Sequence, residues 1–181
     1  MNSFLQNIAI GSKSPSIVHA IIEIPKGSHN KYEFDQSQGV FVLDRVLYSP
    51  FHYPLDYGFI PETHSEDGDH LDIMVLGSDP VFTGCLVEVR PVGLLKMVDS
   101  GDRDFKIIGV QEKNPRFAKI RDIKDFESFN DHLLREVSHF FKVYKDLQGK
   151  KVDIMGWEGA KHAEKEILNA HKSYKKLSKK G

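Results

Sequence analysis

Three carboxylates, Asp67, Asp69 and Asp72, fall within six residues and run directly into the apolar stretch Ile73 to Leu76. Carboxylates this crowded repel one another unless a cation or a shared proton relieves them. The spacing is not that of an EF-hand: counted from Asp67, the sixth position is Asp72 instead of Gly and the twelfth is Ser78 instead of Glu. With neither Cys nor paired His at zinc spacing, a hard, oxygen-seeking cation, Mg²⁺ or Mn²⁺, is the natural occupant. Asp-Gly-Asp is also common turn chemistry, so this motif alone is equally well read as a solvated turn. A second acidic stretch, Asp99-Ser100-Gly101-Asp102-Arg103-Asp104, shifts the balance. If both loops lie at one end of a barrel, up to six carboxylates converge, more than one divalent ion could neutralise. Sites of that kind are typically devoted to phosphoryl transfer.

A phosphate substrate also needs cations and hydroxyl donors. Lys31, Glu33 and Asp35 are spaced by two and share one face of a short strand. Arg45 follows a similar strand, Tyr53 and Tyr57 flank Pro54, and Tyr144-Lys145 closes a helical stretch. Singly, each has an ordinary reading, because a tyrosine is usually a packed ring with a wet hydroxyl and an exposed cation usually does nothing specific.

The elements that must position these groups change character along the chain. Ser16 to Ile24, Lys31 to Asp35, Val40 to Val46, Asp72 to Leu76, Leu86 to Met97 and Phe105 to Val110 read as strands separated by Gly, Pro, Asn and Asp clusters. With no helical stretches between them to make parallel crossovers, they suggest a small closed or partly closed barrel. Then the period lengthens. Phe126, Phe129, Leu133, Val137, Phe140, Phe141 and Tyr144 mark one face of an amphipathic helix. A strand over Lys151 to Met155 follows, then a second helix from about Glu158 to Leu177 with Ala160, Ala163, Ile167, Ala170 and Tyr174 inward. Its lysines, Lys172, Lys175, Lys176, Lys179 and Lys180, suit a helix C-terminus, where cations offset the dipole.

Composition narrows the function classes. The 181 residues suit one domain, expected to span 1–181, and 40% hydrophobic with 28% charged residues is a globular composition. Twenty-five Lys and Arg against 26 Asp and Glu give no basic field for nucleic acid. The single cysteine, Cys85, excludes an internal disulfide and suits a reducing compartment. The N-terminal residues lack the basic start and apolar core of a signal peptide, and no apolar run is long enough for a membrane span.

Taken in order, "EIPKGSHNKYEFD", "VLDRV", "YPLDYGFIP", "DGDHLDIMVL", "RPVGLLKMVDSGDRDFKIIGV" and "HFFKVYKDL" resemble the soluble inorganic pyrophosphatases of family I over about residues 17 to 160. The resemblance implies an α+β fold: an OB-like five-stranded β-barrel with two helices from the C-terminal region packed outside. It also implies Mg²⁺-dependent hydrolysis of pyrophosphate with several ions per site and Mn²⁺ or other divalents able to substitute, a cytoplasmic location and a homo-oligomer, a hexamer among the assemblies. Carried over by motif, Asp67, Asp72 and Asp104 would ligate the tighter cations, with Asp72 shared. Asp99 and Asp104 would hold an ion that arrives with substrate, and Glu23 would contact a further ion or its waters. Asp69 would be the base that orients or deprotonates water. Lys31, Arg45, Tyr57, Lys106, Tyr144 and Lys145 would bind the two phosphates, Arg45 and Tyr57 also acting in catalysis, with Glu33 and Tyr53 behind them.

Four positions depart from the family's usual pattern: His70, where Pro commonly fixes the loop, Leu55 and Asp56 between the tyrosines, and Ser100. Two other readings stay open on the residues alone. One is a non-catalytic OB-type binding module. The other is a broader phosphoanhydride hydrolase acting on nucleotides, which would want an apolar pocket for the base.

Overall fold

The computed structural model describes residues 8–66 and 68–178, so Asp67, Lys179 and Lys180 lie outside the described residues. Five strands close on themselves. β1 (Val18–Ile24) pairs antiparallel with β4 (Asp56–Ile60), β4 antiparallel with β5 (Leu71–Leu76), and β5 in parallel with β8 (Lys106–Gln111). β8 pairs antiparallel with β6 (Leu86–Asp99), whose first residues return to β1. Among these five strands no edge is left unpaired, which is the barrel's answer to the edge problem. β6 also pairs with the short β7 (Asp102–Arg103) and with β9 (Val152–Gly159). A separate hairpin, β2 (Asn30–Asp35) with β3 (Val40–Val46), stands off the barrel beside β1.

Two expectations are corrected. The parallel β5–β8 pair exists without a crossover helix, because the long β6 itself makes the crossing and returns β8 between β5 and β6. The "YPLDYGFIP" segment contains β4, a wholly buried strand hidden in the sequence by Asp56, Gly58 and the flanking prolines. Gly58 is needed there: a Cβ would sit 1.9 Å from the Ile21 carbonyl oxygen of the neighbouring strand.

Side chains alternate across the barrel wall with the period of two that a strand imposes. Met74, Leu76, Leu95, Met97, Ile108 and Val110 join a core with helix α1 (Ile123–Val143), while Ile73, Val75, Leu94 and Ile107 join one with helix α2 (Ala160–Leu177). α1 buries Phe126, Leu133, Leu134, Val137, Phe140 and Phe141. Phe129, expected on that face, is exposed, and the reason is a break at Asn130 (φ −161°, ψ 84°). The Asn130 side-chain oxygen accepts the Leu133 amide at 3.1 Å, restarting the helix with a new cap and a rotated face.

One carboxylate ties both helices. Asp122 caps α1, accepting the Lys124 amide at 3.3 Å, and its other oxygen accepts the Ala160 amide at the start of α2 at 2.9 Å. Asp122→Ala therefore removes two caps at once and should cost about 2 kcal/mol, at roughly 1 kcal/mol per cap. A denaturant midpoint that falls with unchanged slope would register it. Among the described residues no helix is long and apolar enough to cross a membrane.

Candidate active site

The parallel register that sets Ile73 beside Ile107 also sets the preceding residues, Asp72 and Lys106, side by side at the start of their strands. The Lys106 ammonium donates to Asp72 Oδ2 at 2.6 Å, to Asp104 Oδ1 at 2.8 Å and to the Tyr57 hydroxyl at 3.1 Å. Its side chain is 3% exposed. Burial pulls the ammonium's pKa down, but Asp72 and Asp104 outweigh it and hold the group well above the ordinary lysine value. Burial likewise raises the Tyr57 hydroxyl, reinforced by Asp72 and Asp104, so Tyr57 is a neutral hydrogen-bonding phenol at neutral pH.

The second acidic loop is held by a tight turn. β6 and β7 pair at Asp99 and Asp102 across Ser100 and Gly101, both at positive φ (55° and 101°), as a type I′ hairpin turn requires. Asp99 meets Lys145, which follows Tyr144 at the end of α1. Burial would raise the Asp99 pKa, but Lys145 and Ser100 lower it more, and Lys106 adds to the effect. Burial would lower Lys145, and Tyr144 and Asp99 reverse that. Tyr144 is buried, stacked on Phe140 with ring centroids 5.1 Å apart, under the Lys145 ammonium.

Across the opening, Glu23, Lys31, Glu33, Tyr57, Asp69 and Asp72 line one pocket. Glu23 comes from β1 and accepts the Phe34 amide at 2.8 Å, which fastens the β2–β3 hairpin to the barrel. Burial, reinforced by Asp72, pushes its carboxyl up to about 8 against the opposing pull of that hydrogen bond. Lys31 and Arg45 face one another in the hairpin register. Both contact Asp44, and Lys31 also pairs with Glu33. The Arg45 Nε is buried with no hydrogen-bond partner among the described residues, a donor for an incoming acceptor. Tyr53 packs its ring on Tyr57 (5.5 Å) and Phe140 (4.9 Å) and backs the site from behind. Asp69 is exposed at the pocket, and its carbonyl accepts the Ser65 amide at 2.8 Å.

Thus Glu23, Asp69, Asp72, Asp99 and Asp104 come from three separated segments to one end of the barrel, with Lys31, Arg45, Tyr57, Lys106, Tyr144 and Lys145 around them. Of the six carboxylates in the two acidic stretches, Asp102 is exposed, and Asp67 lies outside the described residues. Nor, among the described residues, do three acidic or imidazole groups close on one point as metal ligands; Asp72, Asp104 and Asp99 take lysine counter-ions instead. The donors are nonetheless all oxygen, and a carboxyl raised to about 8 beside Asp72 is one that a cation would return to its charged form, so the set fits a hard divalent ion. Asp44 was missed in the sequence, although its place beside Arg45 in "VLDRV" was the available signal.

The inorganic pyrophosphatase family model matches residues 20–175. The chain belongs to that family. It is 53% identical to an inorganic pyrophosphatase of Geobacillus stearothermophilus over 151 residues, 83% of this chain and 90% of that protein. One from Picrophilus torridus is 42% identical over 97% of each chain. The crystal structure of inorganic pyrophosphatase from Thermus thermophilus superposes with a TM-score of 0.90 at 44% identity, covering 97% of this chain and 99% of that one. The family's OB-like barrel with outer helices is the architecture described above, and the α+β expectation holds.

Proposed function

We propose that this protein hydrolyses inorganic pyrophosphate to two orthophosphates by direct attack of water, with divalent cations, Mg²⁺ foremost, held by Asp67, Asp72, Asp99, Asp104 and Glu23. The observation that carries the reading is the meeting of Asp72 and Asp104 on one buried lysine, opposite a hairpin that presents Lys31 and Arg45. Divalent ions, when bound there, neutralise phosphate charge and lower the pKa of water. The protein's own groups do the rest. Lys31 and Arg45 on one side and Lys106 and Lys145 on the other offset the charge of the two phosphoryl groups. The Tyr57 and Tyr144 hydroxyls donate to phosphate oxygens. Asp69, exposed at the pocket, orients the attacking water and accepts its proton as the bridging P–O bond breaks, while Glu33 and Tyr53 hold Lys31 and Tyr57 in place. Phosphate release from pyrophosphate and from ATP in equal Mg²⁺ tests the substrate: pyrophosphate should be strongly preferred, and comparable rates would favour a general phosphoanhydride hydrolase.

The protein is further proposed to act in the cytoplasm as a homo-oligomer. Exposed His139 and Lys142 on α1 are the candidate contacts. Light scattering over a range of concentrations should give a multiple of 20.6 kDa, and a monomer mass throughout would contradict the assembly.

A further inference from the structure

Two acidic loops that repel each other must be held at a fixed separation if they are to share cations, and most of the contacts that do this are easily identified. The loop before β5 is fastened to α2 by backbone: the His64 amide donates to the Ala170 carbonyl at 3.0 Å, and His171 Nδ1 meets the Glu62 carbonyl at 2.6 Å. The loop after β6 has less support, since β7 is two residues long and pairs only with Val98 and Asp99. Lys106 ties the inner ends of the two at Asp72 and Asp104, and a second side chain joins them further out. Arg103 donates from one guanidinium nitrogen to Glu66 at 3.0 Å and from another to Glu166 of α2 at 2.9 Å, and lies over the Phe105 ring at 4.0 Å from its centroid. Glu66 immediately precedes Asp67, and Arg103 immediately precedes Asp104.

We propose that Arg103 is a positioning residue that sets the spacing of the two carboxylate loops, and through it the affinity of the site for divalent cations. The proposal rests on the functional reading above. Exposed ion pairs of this kind add little to global stability: Arg103 is 41% exposed and Glu66 67% exposed. What the arrangement supplies is geometry, because a planar fork stacked on an aromatic ring and anchored at both ends has one orientation. Groups that orient ligands without touching the ion typically change metal affinity severalfold to a hundredfold when removed.

Electrostatics and positioning predict opposite signs, which makes the role testable. Arg103 is a fixed positive charge beside the carboxylates, so its loss should tighten cation binding if charge were all that mattered. If it sets the spacing, its loss should weaken binding. The experiment is calorimetric titration of Mg²⁺ into the metal-free protein for wild type, Arg103→Gln and Arg103→Lys, with melting temperatures in chelator and in Mg²⁺ alongside. Arg103→Gln is expected to bind Mg²⁺ roughly 10-fold more weakly and to gain less thermal stabilisation from it, while melting within about 2 °C of wild type in chelator. Arg103→Lys, which keeps the charge and loses the fork, should weaken binding in the same direction by a smaller factor. Unchanged or tighter Mg²⁺ binding in Arg103→Gln overturns the proposal, as does wild-type affinity in Arg103→Lys. A wild type that itself binds no Mg²⁺ overturns the functional reading and this role with it, a result distinct from the other two.

Discussion

Asp69→Asn should lower turnover by roughly 10²–10⁴-fold, the usual worth of a general base, while changing the Mg²⁺ requirement little. Asparagine keeps the size and hydrogen bonding of the side chain but cannot take a proton. Asp69 is exposed at the pocket, so it is placed to meet water. Asp72 is placed differently, against the buried Lys106 ammonium and opposite Phe59 in the β4–β5 register. Asp72→Ala should therefore raise the Mg²⁺ concentration needed for activity as well as lowering turnover. Because the cation already acidifies water, raising the pH should restore part of the activity of Asp69→Asn. A pH–rate profile with Mg²⁺ titration of both variants checks this. If Asp69→Asn kept near-wild-type turnover, or lost metal as badly as Asp72→Ala, the base would be wrongly assigned.

Lys106→Met should produce the largest combined loss of stability and activity. Methionine retains the apolar length but leaves Asp72 and Asp104 facing each other without the ammonium between them. Removing one partner of a buried pair typically costs about 3–5 kcal/mol. The carboxylates here are a quarter and a sixth exposed, so the lower end is expected. Divalent ions should relieve the same repulsion. The melting temperature of Lys106→Met should thus lie further below wild type in chelator than in Mg²⁺, and turnover should drop by roughly 10²-fold or more with a phosphate donor gone. Thermal melts under both conditions read the first effect, and an equal deficit in both would show that Lys106 and the cations do not share the carboxylates.

How far such a site can be read from residues alone depends on the range of the interaction that builds it. Strands β1, β2, β3, β5 and β8 were legible because their alternation and their breakers are local, and the second helix was placed within two residues of its start at Ala160. β4 was not, because its burial comes from neighbours on both sides and its Asp56 is satisfied by distant amides, those of Lys26 at 2.7 Å and Val81 at 3.4 Å. The break in α1 was hidden for a related reason. Phe126, Phe129 and Leu133 keep helical spacing in the sequence, and only the Asn130 side chain turning back on Leu133 moves Phe129 outward. The candidate site residues were accessible through motif likeness, but their pairing was not. That Lys106 meets Asp72, 34 residues away in sequence, follows from the parallel β5–β8 register, whereas its contact with Asp104, two residues before it, is local. Asp44, which meets both Lys31 and Arg45, had no signal beyond its neighbour.

Phosphate release from pyrophosphate, followed as Mg²⁺ is added to the metal-free protein and then removed with excess chelator, tests the central claim most directly. The account predicts no turnover without divalent ion, a steep rise as Mg²⁺ is added, and complete loss on chelation with recovery when Mg²⁺ is restored. Equal turnover in excess chelator would contradict it.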